Sequence, residues 1–292
     1  AAWHSRPMLA YRHAFHAGNH ADVLKHLVLM RVLQHMNLKE KGWRLVDTHA
    51  GAGGYSLEGE YAQKKQEYLG GVARLMDLPQ GGLPPAVAEY LDFVRAFNGT
   101  SSRLKQYPGS PAFGQMLMRD QDQLRLYEMH PTEHKILDSY LGQQPGVEVH
   151  MGDGFAALKA QLPPPTRRGV LLIDPPYEIK TDYARTLAAL REALERFADG
   201  TVLIWLPQLQ LLDATQLPQR LKATATAKAK KGWLHARLTV TRGDEHGFGL
   251  LGSSMLVVNP PHTLRNELAT VLPFLAQAMD DGAAAHLLES SG

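Results

Sequence analysis

The chain has no cysteine. This excludes a disulfide framework, a thiolate zinc site and a cysteine nucleophile, and suits a reducing, cytoplasmic setting. It also lacks any apolar run near the ~20 residues that cross a bilayer and any signal-like apolar stretch at the N-terminus, so no membrane partner is expected. The opening "AAWHSRP" before Met8 carries no pattern and is set aside from fold reasoning. Charge of one sign is scarce, with a formal net charge of only +2. Nucleic acid is therefore permitted but not demanded, because 14 histidines and a sequence pI of ≈ 8.7 leave room for a locally basic face. The 292 residues are 44% hydrophobic, enough to bury the core of a large α/β domain.

Short β-rich runs alternate with helical periods: "WRLVDTHAG" (43–51), "QLRLYEMH" (123–130), "GVEVHMGDG" (146–154), "GVLLIDPPY" (169–177) and "TVLIWLP" (201–207). Near-continuous apolar strands separated by helices predict a mostly parallel sheet covered on both faces, a Rossmann-like α/β fold. "GWLHARLTVTR" and "LLGSSMLVVNPP" then predict an antiparallel pair closing the sheet edge. "PHTLRNELATVLPFLAQAM" reads as a last amphipathic helix, and residues 281–292 as a frayed tail. In a doubly wound nucleotide fold the ribose-binding acid follows the first glycine turn by about 20 residues. Here the first candidate, Glu128, comes far later. Residues 54–107, with two stretches of helical period, are therefore predicted to be a helical insertion subdomain between residues 8–53 and 108–280 of the main domain. The insertion ends at "YPGSP", where Ser110 is placed to cap a helix from Pro111 to Arg119.

Candidate ligand groups end successive strands on the carboxyl side, where open α/β sheets bind ligands. "VDTHAGAGGY" supplies Gly51 and Gly53 for a sharp turn close to a ligand. As a dinucleotide fingerprint it lacks the third glycine, and a plain tight turn is the alternative. Its acid-x-x-x-G-x-G spacing instead resembles the first motif of S-adenosylmethionine (SAM) methyltransferases. Glu128 is placed to accept both ribose hydroxyls, or is simply a solvated strand-end acid. Asp153, followed by Gly154, is placed to accept from an adenine amino group while Phe155 packs on the ring; an ordinary Asp-Gly turn is the alternative.

The fourth strand ends in "IDPPY", and methylation of an exocyclic amine explains that order; a plain strand-terminating turn is the alternative. The amine lone pair is delocalised into the base, so the site must draw its hydrogens out of plane with fixed acceptors. The Asp174 carboxylate takes one N–H and the Pro175 carbonyl the other, while Pro175 and Pro176 hold the backbone rigid. Tyr177 offers a flat face for the base. The chain holds its own control in "VVNPPH" (257–262), where Asn259 is neutral and His262 is a weaker stacking face; that copy reads as a turn before the last helix.

"YRHAFHAGNHADVLKHLVLMRVL" predicts a helix from about Asn19 to Leu33 whose face carries Lys25 and His26 towards the carboxylate of the cofactor's methionine moiety. Tyr11, Arg12 and His13 precede it as candidates for touching substrate. His16 and His20 have a spacing a metal could use, but Gly18 and Asn19 between them and the missing H-E-x-x-H pattern favour no metal. Taken together, "MLAYRHAFHAGNHADVLKH", "DTHAGAG", "YPGSP", "GDGF" and "LIDPPYE" resemble the bacterial RlmJ family, SAM-dependent methyltransferases that modify one adenine N6 of large-subunit (23S) ribosomal RNA. The resemblance implies a class I methyltransferase fold with the helical insertion. It implies SAM contacts at His26, His49, Ser110, Glu128, Asp153, Gly154 and Asp174, catalysis by Asp174, and a substrate role for Tyr11. It further implies a cytoplasmic enzyme with 23S ribosomal RNA as partner, expected to act as a monomer. A DNA adenine-N6 methyltransferase would share every catalytic residue. A non-catalytic nucleic-acid binder would not need Asp174, and a nicotinamide enzyme is opposed by the missing glycine. The densest basic runs, Arg220 to Trp233 and Arg167 with Arg168, are candidates for phosphate contact or ordinary solvated charge.

Overall fold

The computed structural model describes residues 13–99, 101, 103–246 and 249–292. Its centre is an eight-stranded sheet in the order β10 (Ala285–Ser290), β8 (Trp233–Thr239), β9 (Gly252–Val258), β7 (Thr201–Gln208), β6 (Gly169–Ile173), β1 (Arg44–Asp47), β4 (Gln123–Tyr127), β5 (Val147–His150). Five strands are parallel neighbours: β5, β4, β1, β6 and β7. β6 is buried at all five positions, as expected of an apolar run covered by helices on both sides. The chain builds β1, β4 and β5 outward in one direction, then returns to lay β6 on the other side of β1. The crevice at the carboxyl ends of β1 and β6 is thus the topological switch point, where such sheets take ligands.

β9 (Gly252–Val258) runs antiparallel between β7 and β8 (Trp233–Thr239), in keeping with the antiparallel closing pair expected. The tail departs from expectation. Ala285–Ser290 form β10, pairing antiparallel with β8 from Ala285 opposite Thr239 to Ser290 opposite Leu234. Lys222 Nζ, 2.9 Å from Glu289 Oε2, ties it to the helix beneath. "AHLLES" is too short and too weakly alternating to announce a strand, but without it β8 would present an open edge.

α1 (His20–Met36) is buried almost all round, from Ala21 through Leu33, because it lies between β9 and the helices α4 (Pro85–Phe97) and α5 (Ser110–Leu117). Asn19 caps it, accepting from the Asp22 N–H, which removes one unpaired donor from the first turn. Ser110 does not cap α5; Gly109 holds that position and Ser110 is the first helical residue. Its hydroxyl is drawn instead to a carboxylate on β1.

Residues 54–107 contain α2 (Glu60–Lys65), α3 (Val72–Asp77) and α4, framed by a two-stranded sheet of β2 (Gly54–Ser56) and β3 (Gln106–Pro108). Val72, Leu75, Tyr90 and Leu91 share one core with Leu24 and Leu27 of α1. Each such side chain is worth about 1.5–3 kcal/mol of burial. α6 (Pro131–Leu141) and α7 (Leu158–Gln161) flank β5, and α8 (Thr181–Arg196), α9 (Leu212–Lys228) and α10 (Leu264–Ala278) complete the helical layers. Among the described residues no helix is long and apolar enough to cross a membrane.

Candidate active site at the switch point

A cavity of ≈ 320 Å³ opens at the carboxyl ends of β1, β4, β5 and β6, within the size range of small-molecule sites. One wall is the loop after β1. Gly51 takes φ +69°, a left-handed conformation that glycine adopts without cost. This turn aims the Gly51 N–H at Glu128 Oε1, 3.0 Å away. Glu128 Oε2 accepts from the His130 N–H at 2.7 Å, so one carboxylate clamps two strand-end loops and retains lone pairs for a ligand. Burial raises the Glu128 pKa, with those two backbone donors pulling it back. The loop after β5 lies directly on the loop after β1, because Gly154 leaves no Cβ to strike the Thr48 backbone.

Behind this wall Asp47 is completely buried. Its Oδ2 accepts from Ser110 Oγ at 2.5 Å and its Oδ1 from the His49 N–H at 3.4 Å. Burial pushes its carboxyl up to about 7, opposed by the Ser110 hydrogen bond and reinforced by nearby Asp174.

The second wall comes from α1. Lys25 Nζ sits 2.6 Å from Asp174 Oδ2 and 3.1 Å from Asp22 Oδ1. Burial works against the lysine charge, but these two carboxylates outweigh it and hold its pKa above the ordinary value. At Asp174 burial prevails in the other direction, raising the carboxyl while Lys25 restrains the rise. Asp22 is held low: burial opposes its charge, but His13 Nε2 at 2.7 Å and Lys25 overcome that. His26, with Nδ1 2.7 Å from the Tyr107 hydroxyl, is lowered to about 3 by burial, and His49 to about 4. Both imidazoles are therefore neutral hydrogen-bonding groups near neutral pH, not charges.

Most of the residues singled out in the sequence meet here. Lys25, His26, His49, Gly51, Ser110 and Glu128 line the cavity together with Asp153, Gly154, Asp174, Pro175 and Pro176. Four others do not. Gly53 faces Leu137 and Pro111 instead. Phe155, expected to pack on an adenine ring, is buried with its ring 4.9 Å from His49 and 4.6 Å from the Arg185 guanidinium. Arg185 also donates to Asp153 Oδ2, so that carboxylate is already partnered. Tyr177, expected as a flat face for the base, is only 6% exposed. Its φ of +55° turns the ring inward, where the hydroxyl donates to the Trp205 carbonyl at 2.9 Å. Tyr11 lies outside the described residues.

Lys25, expected to face a ligand carboxylate, is engaged by two of the protein's own. His16, considered for a metal, has Nδ1 2.5 Å from Glu67 Oε2. Sequence reasoning missed Asp22, although its i, i+3 spacing to Lys25 was readable. It also missed Trp205, Pro207 and Leu250, which line the cavity and carry no local signal.

Residues 40–288 match the family described as ribosomal RNA large subunit methyltransferase D, RlmJ. The chain belongs to this family. It is 41% identical over 272 residues to ribosomal RNA large subunit methyltransferase J of Haemophilus influenzae, spanning 93% of this chain and 94% of the relative. It is 42% identical over 268 residues to the Escherichia coli protein of the same name, spanning 92% and 93%. Among solved structures, the Legionella pneumophila protein LPL1258 superimposes with a TM-score of 0.85 at 32% identity, covering 94% of this chain and 98% of that one. The family match runs from just before β1 into β10 and so takes in every strand end that builds the cavity.

Proposed function

We propose that the protein transfers a methyl group from SAM to N6 of an adenine in large-subunit (23S) ribosomal RNA. The observation that carries this reading is the cavity itself: in a chain of an rRNA methyltransferase family, the Asp174-Pro175-Pro176 strand end opens into the same space as Gly51, Ser110 and Glu128.

The residues present fit SAM. Glu128 keeps acceptor capacity for a ribose diol beyond its two backbone bonds. Because the Ser110 hydroxyl spends its proton on Asp47, its oxygen is left as an acceptor for an ammonium group. Neutral His26 and His49 hydrogen-bond without repelling a cation. Asp22 and Asp174 suit a ligand carrying positive charge. When bound, SAM supplies an electrophilic methyl group on a sulfonium.

Everything else falls to the chain's own groups. Asp174 Oδ accepts one N–H of the target amine and the Pro175 carbonyl the other, which pulls the nitrogen out of conjugation and exposes its lone pair. Lys25, 2.6 Å from its Oδ2, restrains the rise that burial imposes on the Asp174 carboxyl and so favours its charged form. A positioned acceptor of this kind contributes on the order of 10²–10⁴ in rate, and holding the amine in line at near-attack distance adds to that. Trp205, half-buried and lining the cavity, takes the stacking role first expected of Tyr177. The target base must leave its stack to arrive there, at a cost of a few kcal/mol that is smaller in an unpaired loop. The reading includes a cytoplasmic enzyme acting as a monomer, which light scattering at assay concentration would check.

The test is label transfer from SAM to protein-free large-subunit rRNA and to matched DNA, with Asp174→Ala alongside. Label in RNA, abolished in the variant, is expected. Label in DNA alone would overturn the substrate, and full activity in the variant would overturn the mechanism.

A further inference from the structure

Two basic stretches of the sequence have no part in the cavity. Arg167 and Arg168 precede β6, and Lys230 and Lys231 follow α9. The fold brings them together at the amino ends of the parallel strands, the face opposite the catalytic mouth. There the Arg168 guanidinium donates to the carbonyls of Lys41 and, at 2.6 Å, of Met36. The Arg119 guanidinium donates to the Lys39 carbonyl at 2.8 Å. The Lys231 N–H donates to Asn259 Oδ1 at 2.7 Å, and the His262 ring lies 5.6 Å from that of His35. His35 registers the crowding: burial lowers its pKa first, and the charges of His262, Lys231, Lys39 and Arg168 lower it further.

Lys39, Lys41, Arg167, Lys230 and Lys231 are exposed. Among the described residues none of these five, nor Arg168, forms an ion pair with a carboxylate within 4.0 Å. The acids of the same region are few. Asp122 is buried and held by Arg119 at 2.9 Å, and exposed Glu195 is paired with Lys228 at 2.9 Å, leaving Glu40, Asp120 and Asp199 exposed. Like charges gathered this way raise the local potential, and a polyanion relieves it. The "VVNPPH" turn thus has a structural use: Asn259 receives the Lys231 loop and donates to the carbonyls of Ala198 and Gly200 at 2.8 and 2.7 Å, holding the basic turn against the sheet.

Resting on the rRNA reading above, we infer that this face binds the phosphodiester backbone of RNA flanking the target, as a second contact remote from the cavity. The five residues of β6 at about 3.3 Å each put roughly 17 Å between the two ends of the sheet. A structured RNA that reaches the mouth has phosphates on neighbouring segments within that distance. Such a contact reads no base; it carries affinity and orientation and is sensitive to salt.

The test is fluorescence anisotropy with a labelled large-subunit rRNA fragment across a salt series, without SAM. The variants are a quadruple Lys39→Gln, Lys41→Gln, Lys230→Gln, Lys231→Gln and a control Arg191→Gln, Arg220→Gln, whose arginines are exposed on α8 and α9. At about 0.7–0.9 per phosphate contact, engagement of even two of the four lysines lowers the slope of log K against log salt by about 1.5. The expected result is that loss, with weaker binding at low salt, in the quadruple variant alone, and an unchanged thermal midpoint. Methylation of a short RNA carrying only the target loop should be unaffected in the same variant. An unchanged slope, or an equal loss in the control, overturns the surface. Because anisotropy needs no methyl transfer, wild-type protein that binds RNA with the steep slope but leaves it unmethylated overturns the activity and not this face. Normal methylation with an unchanged slope overturns this face alone.

Discussion

Replacing Asp47 with asparagine should stabilise the protein and weaken its cofactor site at once. The folded carboxyl titrates near 7 where an ordinary aspartate titrates at 3.8. Between those values the folded state binds more protons than the unfolded chain, so stability falls as pH rises through that window and levels off above about 7. A displacement of about three pH units at 1.36 kcal/mol each amounts to about 4 kcal/mol of destabilisation at pH 8. The side chain is fully buried, so solvent screening does not discount it. Asparagine removes the ionisation while keeping the shape. Its Oδ1 meets the His49 N–H and its Nδ2 meets Ser110 Oγ, whose hydroxyl turns round to accept. Asparagine stands in for the protonated carboxyl, and the displacement already includes the opposing Ser110 hydrogen bond, so the net gain approaches about 4 kcal/mol at pH 8 and vanishes near pH 4. Guanidinium unfolding at pH 4.5, 6 and 8 with a common m-value measures this. A variant less stable than wild type at pH 8, or a difference that does not vary with pH, refutes the reasoning. The cost appears in calorimetry with SAM: a reversed Ser110 hydroxyl no longer offers only lone pairs, and affinity drops.

Glu128→Gln leaves one acceptor oxygen where two backbone donors now bind, and a charged hydrogen bond is worth about 1.5–3 kcal/mol; cofactor Kd should rise about 10- to 100-fold by calorimetry, and an unchanged Kd would remove Glu128 from the cofactor site. Gly154→Ala places a methyl group against the Thr48 backbone, an overpacking worth about 1–3 kcal/mol; thermal unfolding should show a lower Tm, and a wild-type midpoint would mean that the two loops separate freely. Trp205→Ala keeps the backbone carbonyl that Tyr177 uses, so KM for RNA should rise with SAM affinity constant; at about 1–3 kcal/mol per stacked base the loss is roughly 5- to 150-fold, and equal loss of both affinities would make Trp205 merely part of the wall. Truncation after Gly282 uncovers the β8 edge, so light scattering on warming should show earlier aggregation than in the full chain.

The strand ends were readable in the sequence because their chemistry is local. Asp47, Glu128 and Asp174 each stand at or directly after the end of a strand, and Asp153 three residues beyond β5, and a parallel sheet carries every such position to the same edge whatever the helices between. Ring orientation is different in kind. Whether Tyr177 faces the cavity depends on its φ and on the carbonyl of Trp205, 28 residues away on β7, and nothing in "DPPY" encodes that partner. Lys25 shows the same boundary within one side chain. Its i, i+3 relation to Asp22 is visible on a helical wheel, but Asp174 lies 149 residues on and meets it only because α1 packs across the switch point. β10 was missed for the converse reason: its six residues have little pattern of their own, and what makes them a strand is the unpaired edge of β8. In this fold the sequence therefore announces which groups carry the chemistry, since each is placed by its own strand. Which groups hold them in register, Ser110 on Asp47 or Lys25 on Asp174, is settled by contacts between distant elements.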